Sequence, residues 1–110
     1  MSDWQWGWDE KTDGTSSGAT ASHAGETGVD HRVTHISGHT DTDSFVTIRD
    51  VDASGAVLWQ VWLDVSLNGN TFAVNIPNGV HGVSGNAIVG RVETSTSDCR
   101  VQISGSSVKF

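Results

Sequence analysis

Cysteine occurs once in these 110 residues, at Cys99. A lone thiol excludes an internal disulfide and the small disulfide-stapled scaffolds of secreted proteins. We expect it buried and inert. Basic residues are also scarce: six Lys and Arg against 13 Asp and Glu, for a net charge of −7. Nucleic-acid binding needs a basic stripe that displaces counterions, and none is present. An anionic membrane surface is disfavoured for the same reason. Apolar runs stop at about four residues, far short of the ~20 a membrane helix needs, and no basic-then-apolar leader opens the chain. No stretch carries a helical apolar stripe. Missing too are a Gly-x-Ser-x-Gly elbow, a Gly-rich phosphate loop and a Cys/His metal spacing. No cofactor and no catalytic residue are expected.

What is present divides the chain in three, around a single folded domain. Residues 1–11 form a Trp-rich arm, with three of the five tryptophans at Trp4, Trp6 and Trp8. Residues 12–30, beginning TDGTSSGATASHAGETG, are rich in Gly, Ser, Thr and Ala and show no period, which reads as a flexible linker. Such a tether would span roughly 20–25 Å. Six of the acids and one base fall in residues 1–30, so the acidity is concentrated there. Residues 31–110 change character. Segments rich in Val, Ile, Thr and Trp alternate with Gly, Asn, Asp and Ser clusters, the pattern of short strands and turns.

Strands are predicted near 31–37, 44–50, 56–66, 71–76, 86–93, 98–104 and 107–110. In AVLWQVWLDVSL, Val57, Trp59, Val61, Leu63 and Val65 share a face, with Leu58, Gln60, Trp62, Asp64 and Ser66 opposite. Cys99, Val101 and Ile103 form a second apolar face, Phe72, Val74 and Ile76 a third, and Val46 and Ile48 a fourth. One dry and one wet face is the habit of antiparallel sheets. Two such sheets give an all-β antiparallel sandwich of about seven short strands, jelly-roll or Ig-like. Gly55 in DVDASGA and Asn68-Gly69 in LNGNT are expected to make hairpins, Gly55 as a left-handed residue. IPNGVHGVSGN is expected to cross between sheets.

Three clusters invite a chemical reading. DVDASG matches the first half of an EF-hand calcium loop at Asp50, Asp52, Ser54 and Gly55. However, Val61 falls where the bidentate Glu belongs, and a strand follows, so a hairpin turn explains the same residues. His31, His35 and His39 recur every fourth residue, a zinc spacing on a helix. On a strand, His31 and His35 would share a face roughly 13 Å apart, too far for one metal. In HTDTD, Asp41 and Asp43 beside His39 suit acid–base work or turn capping. No metal site and no enzyme are expected from these. Trp59 and Trp62 lie on opposite faces of one strand, so one is core and the other an anchor for a partner. An outward Trp also stacks on sugars.

The run HRVTHISGHTDTDSFVTIRDVDASGAVLWQVWLDVS, with the later STSDCRVQISG, resembles small β-sandwich structural proteins of tailed bacteriophages. The likeness spans about residues 32–105 and leaves out the Trp arm. It implies a capsid decoration, or cement, protein: a non-enzymatic homo-oligomer, trimeric by preference, on the virion surface. Its partners would be the major capsid protein or other virion subunits, with assembly in the host cytoplasm. The alternative is a carbohydrate- or receptor-binding module of a viral fibre. Residues two apart on an extended arm share a face, so Trp4, Trp6 and Trp8 form an aromatic comb. The comb suits a groove of its own domain or a neighbour's sheet edge, and the long tether favours the neighbour. The expected partner-binding residues are Trp4, Trp6, Trp8 and Trp62.

Overall fold

A computed structural model of the chain describes residues 4–109, apart from the side chains of Trp4 and Asn68. The elements are β1 (Trp4–Gly14), β2 (Ala19–His23), β3 (Val29–Thr40), β4 (Ser44–Asp50), β5 (Val57–Leu63), α1 (Val65–Asn68), β6 (Thr71–His81), β7 (Ile88–Val92) and β8 (Cys99–Lys109). They build two four-stranded antiparallel sheets, ordered β1-β8-β3-β6 and β2-β7-β4-β5. Eight strands interleaved in this way make a jelly roll, which decides between the two sandwich types.

The core lies between the sheets. Ile36, Val101 and Ile103 from one sheet meet Val46, Ile48, Ile88 and Val92 from the other, all fully buried. Burying each of these aliphatic side chains contributes roughly 1.5–3 kcal/mol. The predicted faces of β4 and β8 are therefore the inner ones. Phe72, Val74 and Ile76 also point inward, but β6 is an edge strand and they are only half-covered. Cys99 is buried.

The N-terminal third departs from expectation. The arm is not held off by a tether. Residues 4–14 pair with β8 along their whole length, from Trp4 opposite Lys109 to Gly14 opposite Cys99. The span expected to be a linker contains β2, whose Ala19 and Ala21 are buried against the core. Eleven residues of ladder satisfy backbone groups that a free arm would leave to water, and two alanines fit the crowded inner face where larger residues would not.

Several local expectations are also corrected. Asn68-Gly69 does not turn a hairpin. β5 and β6 belong to different sheets, and α1 carries the chain between them. Asp64 caps α1 by accepting from the Ser66 and Leu67 amides, and Gly69 ends it at φ 76°. The β4–β5 hairpin forms as expected, but its left-handed residue is Val51, at φ 73°. Gly55 is required for space: a Cβ there would lie 1.5 Å from the Asp50 carbonyl oxygen. β6 continues to His81, so the crossing occupies only residues 82–87. Residues 107–109 extend β8 and form no separate strand.

A register shift between Val33 and His35 inserts Thr34 as a bulge in β3. A single extra residue inverts the facing of all that follows. His31 therefore points into the sandwich while His35 points out, and the two do not share a face as their spacing suggests.

Candidate functional site

The two long seams between the sheets differ. Along the β1/β2 seam the sandwich is closed by side chains. The Trp8 indole stacks on the His23 imidazole, and His31 meets both rings edge-on. The Trp8 Nε1–H donates to Ser107 Oγ at 2.8 Å, and that oxygen lies 2.5 Å from His31 Nδ1. The His31 Nε2–H donates to the Ala24 carbonyl at 2.8 Å, and His23 Nδ1 contacts Glu10 Oε2 at 2.7 Å. Trp8 is thus part of its own domain's wall. Trp6 is half-buried, two residues away on the same face. The side chain of Trp4 lies outside the described residues.

The other clusters singled out in the sequence are held in structural roles. Asp41 accepts hydrogen bonds from the Thr96, Ser97 and Asp98 amides and from the Ser97 hydroxyl. The bond from the Thr96 amide, followed by those from Ser97, holds its carboxyl well below the usual range. Asp43 accepts from the Val65 amide, and His39 Nε2 lies 3.1 Å from Asp98. His35 bonds Asn75. In the DVDASG turn, Asp52 accepts from the Ser54 amide and Asp50 from the Asn86 side chain. No group of three or more metal-ligating residues converges among the described residues.

The outer face of the β2-β7-β4-β5 sheet carries a network that the sequence reading missed. Glu93 bonds Thr47 Oγ1 at 2.6 Å, Arg49 at 2.8 Å and Arg91 at 2.7 Å. Burial alone would raise its pKa. The Thr47 hydroxyl and the two guanidinium groups outweigh that, and the net shift is downward. Beside this network, Phe45 and Trp62 sit opposite each other on β4 and β5. Their rings meet edge to face, 4.9 Å apart and inclined by 70°, and they remain 44 % and 51 % exposed. Trp62 is the outward tryptophan of its strand, and Trp59 packs against the core. Phe45 was legible in the sequence as the residue out of phase with Val46 and Ile48.

The β5/β6 seam is open. A cavity of about 320 Å³ separates the two edge strands, lined by Val46, Val61, Trp62 and Leu63 on one side and by Thr71–Val74 on the other. Val57, Val61 and Trp62 are all exposed along β5. The expected alternation of β5 fails at its start, where a register shift opposite Ile48 and Arg49 lets both Leu58 and Trp59 pack on the core.

The four sheet edges are protected unequally. Unpaired edges invite strand addition, and folds blunt them with charges, short strands, proline or bulges. β1 bears Asp9, Glu10, Lys11 and Asp13, and β2 has only five residues. β6 contains Pro77, and its residues 76–79 loop out opposite Thr34 alone. β5, reading VLWQVWL, has neither charge nor proline, and beyond its initial bulge the run Trp59–Leu63 is regular. The candidate functional site is therefore the β5 edge with the Trp62–Phe45 pair on its rim.

Comparison with known proteins places the fold and nothing narrower. No family model and no curated protein sequence matches the chain. Among solved structures, a pilus subunit of Bacillus endospore appendages aligns over 100 % of this chain and 91 % of its own, at 9 % identity and a TM-score of 0.53. A family 6 carbohydrate-binding module aligns with 81 % of this chain at 16 % identity and a TM-score of 0.45, and the alignment spans 66 % of that module. The coat protein of tobacco streak virus gives 10 % identity and 0.44, covering 96 % of this chain and 86 % of that one. The chain is an all-β sandwich of two antiparallel sheets.

Proposed function

We propose that this protein is a non-enzymatic structural module of a larger protein assembly, seated on neighbouring subunits through the β5 edge and the Trp62–Phe45 pair. One observation carries the reading: β5 alone among the described edges is uncharged, proline-free and rich in exposed apolar side chains. A tryptophan half in water is an effective anchor when a partner covers it. The setting implied by the sequence resemblance is decoration of a virion shell, with the major capsid protein or another virion subunit as the partner. The fold likeness to an appendage subunit is compatible with an assembly role.

The test is sedimentation of the native particle with which the protein co-purifies, followed by rebinding of recombinant protein. Wild type should co-sediment. A Phe45→Ser/Trp62→Ser double variant, altered only on exposed rings, should fold and remain in the supernatant. Equal co-sedimentation of the double variant would overturn the proposal.

A second reading, a carbohydrate- or receptor-binding module, is favoured by Gln60, which lies two residues from Trp62 on the same face and supplies a polar group beside an aromatic platform. A glycan array separates the two, because a shell-binding module binds no glycan there.

A further inference from the structure

We propose that the outer face of the β1-β8-β3-β6 sheet carries a binding site for a free α-amino acid, whose ammonium sits on Asp30 and whose carboxylate sits on Arg32. This sheet does not contain β5, so the site is separate from the β5 edge. A cavity of about 250 Å³ opens there, walled by Gln5, Asp30, Arg32, His81, Ser106 and Val108. Strand register builds it. Gln5, Val108 and Asp30 stand opposite one another in one row, and Gly7, Ser106, Arg32 and His81 in another. Residues directly opposite share a face. Ser107, between Ser106 and Val108, is buried within the sandwich, so its two neighbours point outward.

The cavity holds charges that the fold leaves unmatched. Arg49 and Arg91 both hold Glu93, and Arg100 holds Asp13. Arg32 holds no carboxylate among the described residues, although Asp30 lies two residues away on the same face. Its polar contact is Nη2 to Ser106 Oγ at a long 3.4 Å. Asp30 Oδ1 is buried without a partner, and the side chains of Gln5 and His81 make no hydrogen bond among the described residues. Partly desolvated charges left in this way destabilise the empty site, and a ligand that supplies their partners removes that penalty. Gly79 seats the arginine: a Cβ there would stand 2.2 Å from Arg32 Cγ. Same-face neighbours along a strand repeat at roughly 7 Å, so a small group can lie between carboxylate and guanidinium and touch both. Asp30 and Arg32 sum to zero charge, with one negative and one positive pole. A zwitterion matches both poles and makes charge-assisted hydrogen bonds at each. A lone anion would meet Asp30, and a metal ion would meet Arg32. A neutral polyol would oppose both charges with dipoles only. Gln5 and His81 remain to bond the ligand's side chain, and the cavity volume suits a short one.

Amide NMR shifts of the dialysed full-length protein test the site. Each common L-amino acid is added to about 10 mM, close to saturating for a Kd of about 1 mM. At least one small amino acid should shift the amides of Asp30, Arg32, Ser106 and Val108 together and leave those of β5 unmoved. Its N-acetyl amide, which lacks both charges, should shift none of them. Asp30→Asn and Arg32→Gln should each weaken binding at least ~10-fold, the loss of one charge-assisted bond. The Phe45→Ser/Trp62→Ser variant should bind as wild type does. Asp30→Asn keeps the side chain's shape, so a folded spectrum with lost binding reads the charge alone. The proposal is overturned if no amino acid moves these amides. It is also overturned if the N-acetyl amide or glycerol moves them equally, or if Asp30→Asn binds with wild-type affinity.

Discussion

The indole of Trp8 lies flat on the imidazole of His23, ring centroids 4.0 Å apart and planes 4° from parallel. These residues come from β1 and β2, the edge strands of opposite sheets, so the stack closes one side of the sandwich. Trp8→Ala should therefore destabilise the domain by about 3 kcal/mol, at the lower end for a large aromatic because Trp8 is only half-buried. Trp8→Phe should recover most of this and lose only the Ser107 bond, about 1 kcal/mol. Denaturant titration checks both. Removal of residues 1–10, harmless for a tethered arm, should strongly destabilise the domain, because it strips most of the β1–β8 ladder and the Trp8 ring that closes the seam.

Acid should weaken the fold through two carboxylates whose pKa values are lowered on folding, Asp41 and Glu93. A group of this kind contributes fully above its unfolded pKa, and the contribution disappears as pH falls through the folded value. The ordinary values are 3.8 for Asp41 and 4.5 for Glu93. The contribution of these two carboxylates should thus be constant above about pH 5 and fall below it. Asp41→Asn should be less stable than wild type at pH 7, with the gap narrowing at pH 3 and below. Urea unfolding across this range reads the result, and a gap that widens in acid would contradict the assignment.

Val51 holds a left-handed backbone conformation that β-branched residues avoid. Val51→Gly should stabilise the protein by about 1 kcal/mol, after allowing for the added freedom of glycine in the unfolded chain. That corresponds to a rise in Tm of roughly 4–8 °C for a domain of this size. Gly55→Ala should act oppositely, since its methyl would collide with the Asp50 carbonyl. Calorimetry distinguishes the two.

Asp30 Oδ1 is buried without a hydrogen-bond partner. An unsatisfied carboxylate oxygen costs on the order of 1–3 kcal/mol. Asp30→Asn removes the charge at constant shape and should raise stability by about 1 kcal/mol, again read by denaturant titration. A loss of stability would show that the carboxylate is needed where it stands.

The strands of the second two-thirds were legible because their apolar residues are large and alternate cleanly, as in Val46 and Ile48 or Cys99, Val101 and Ile103. β2 was not. Its inward residues are Ala19 and Ala21, which carry too little apolar surface to register as a period against the surrounding Ser, Thr and Gly. β1 was hidden for another reason: its comb of tryptophans fits a free arm and an edge strand equally well, and only the partner strand β8 decides. The face inversion at Thr34 has no local sequence signal, because a bulge is defined by the strand opposite. At the candidate site, the outward position of Trp62 followed from alternation. The vulnerability of β5 did not, since a strand becomes an edge only through topology.

The pairing of Trp4 with Lys109 sets the two extremities of the described chain side by side. Tension applied between them would peel β1 from β8 one backbone bond after another, a zipper that yields at low force, instead of shearing many bonds at once. Optical-trap pulling from residues 4 and 109 should show such gradual, weak opening. A lattice of these modules would accordingly keep its mechanical strength only if the load travels from flank to flank and bypasses the ends.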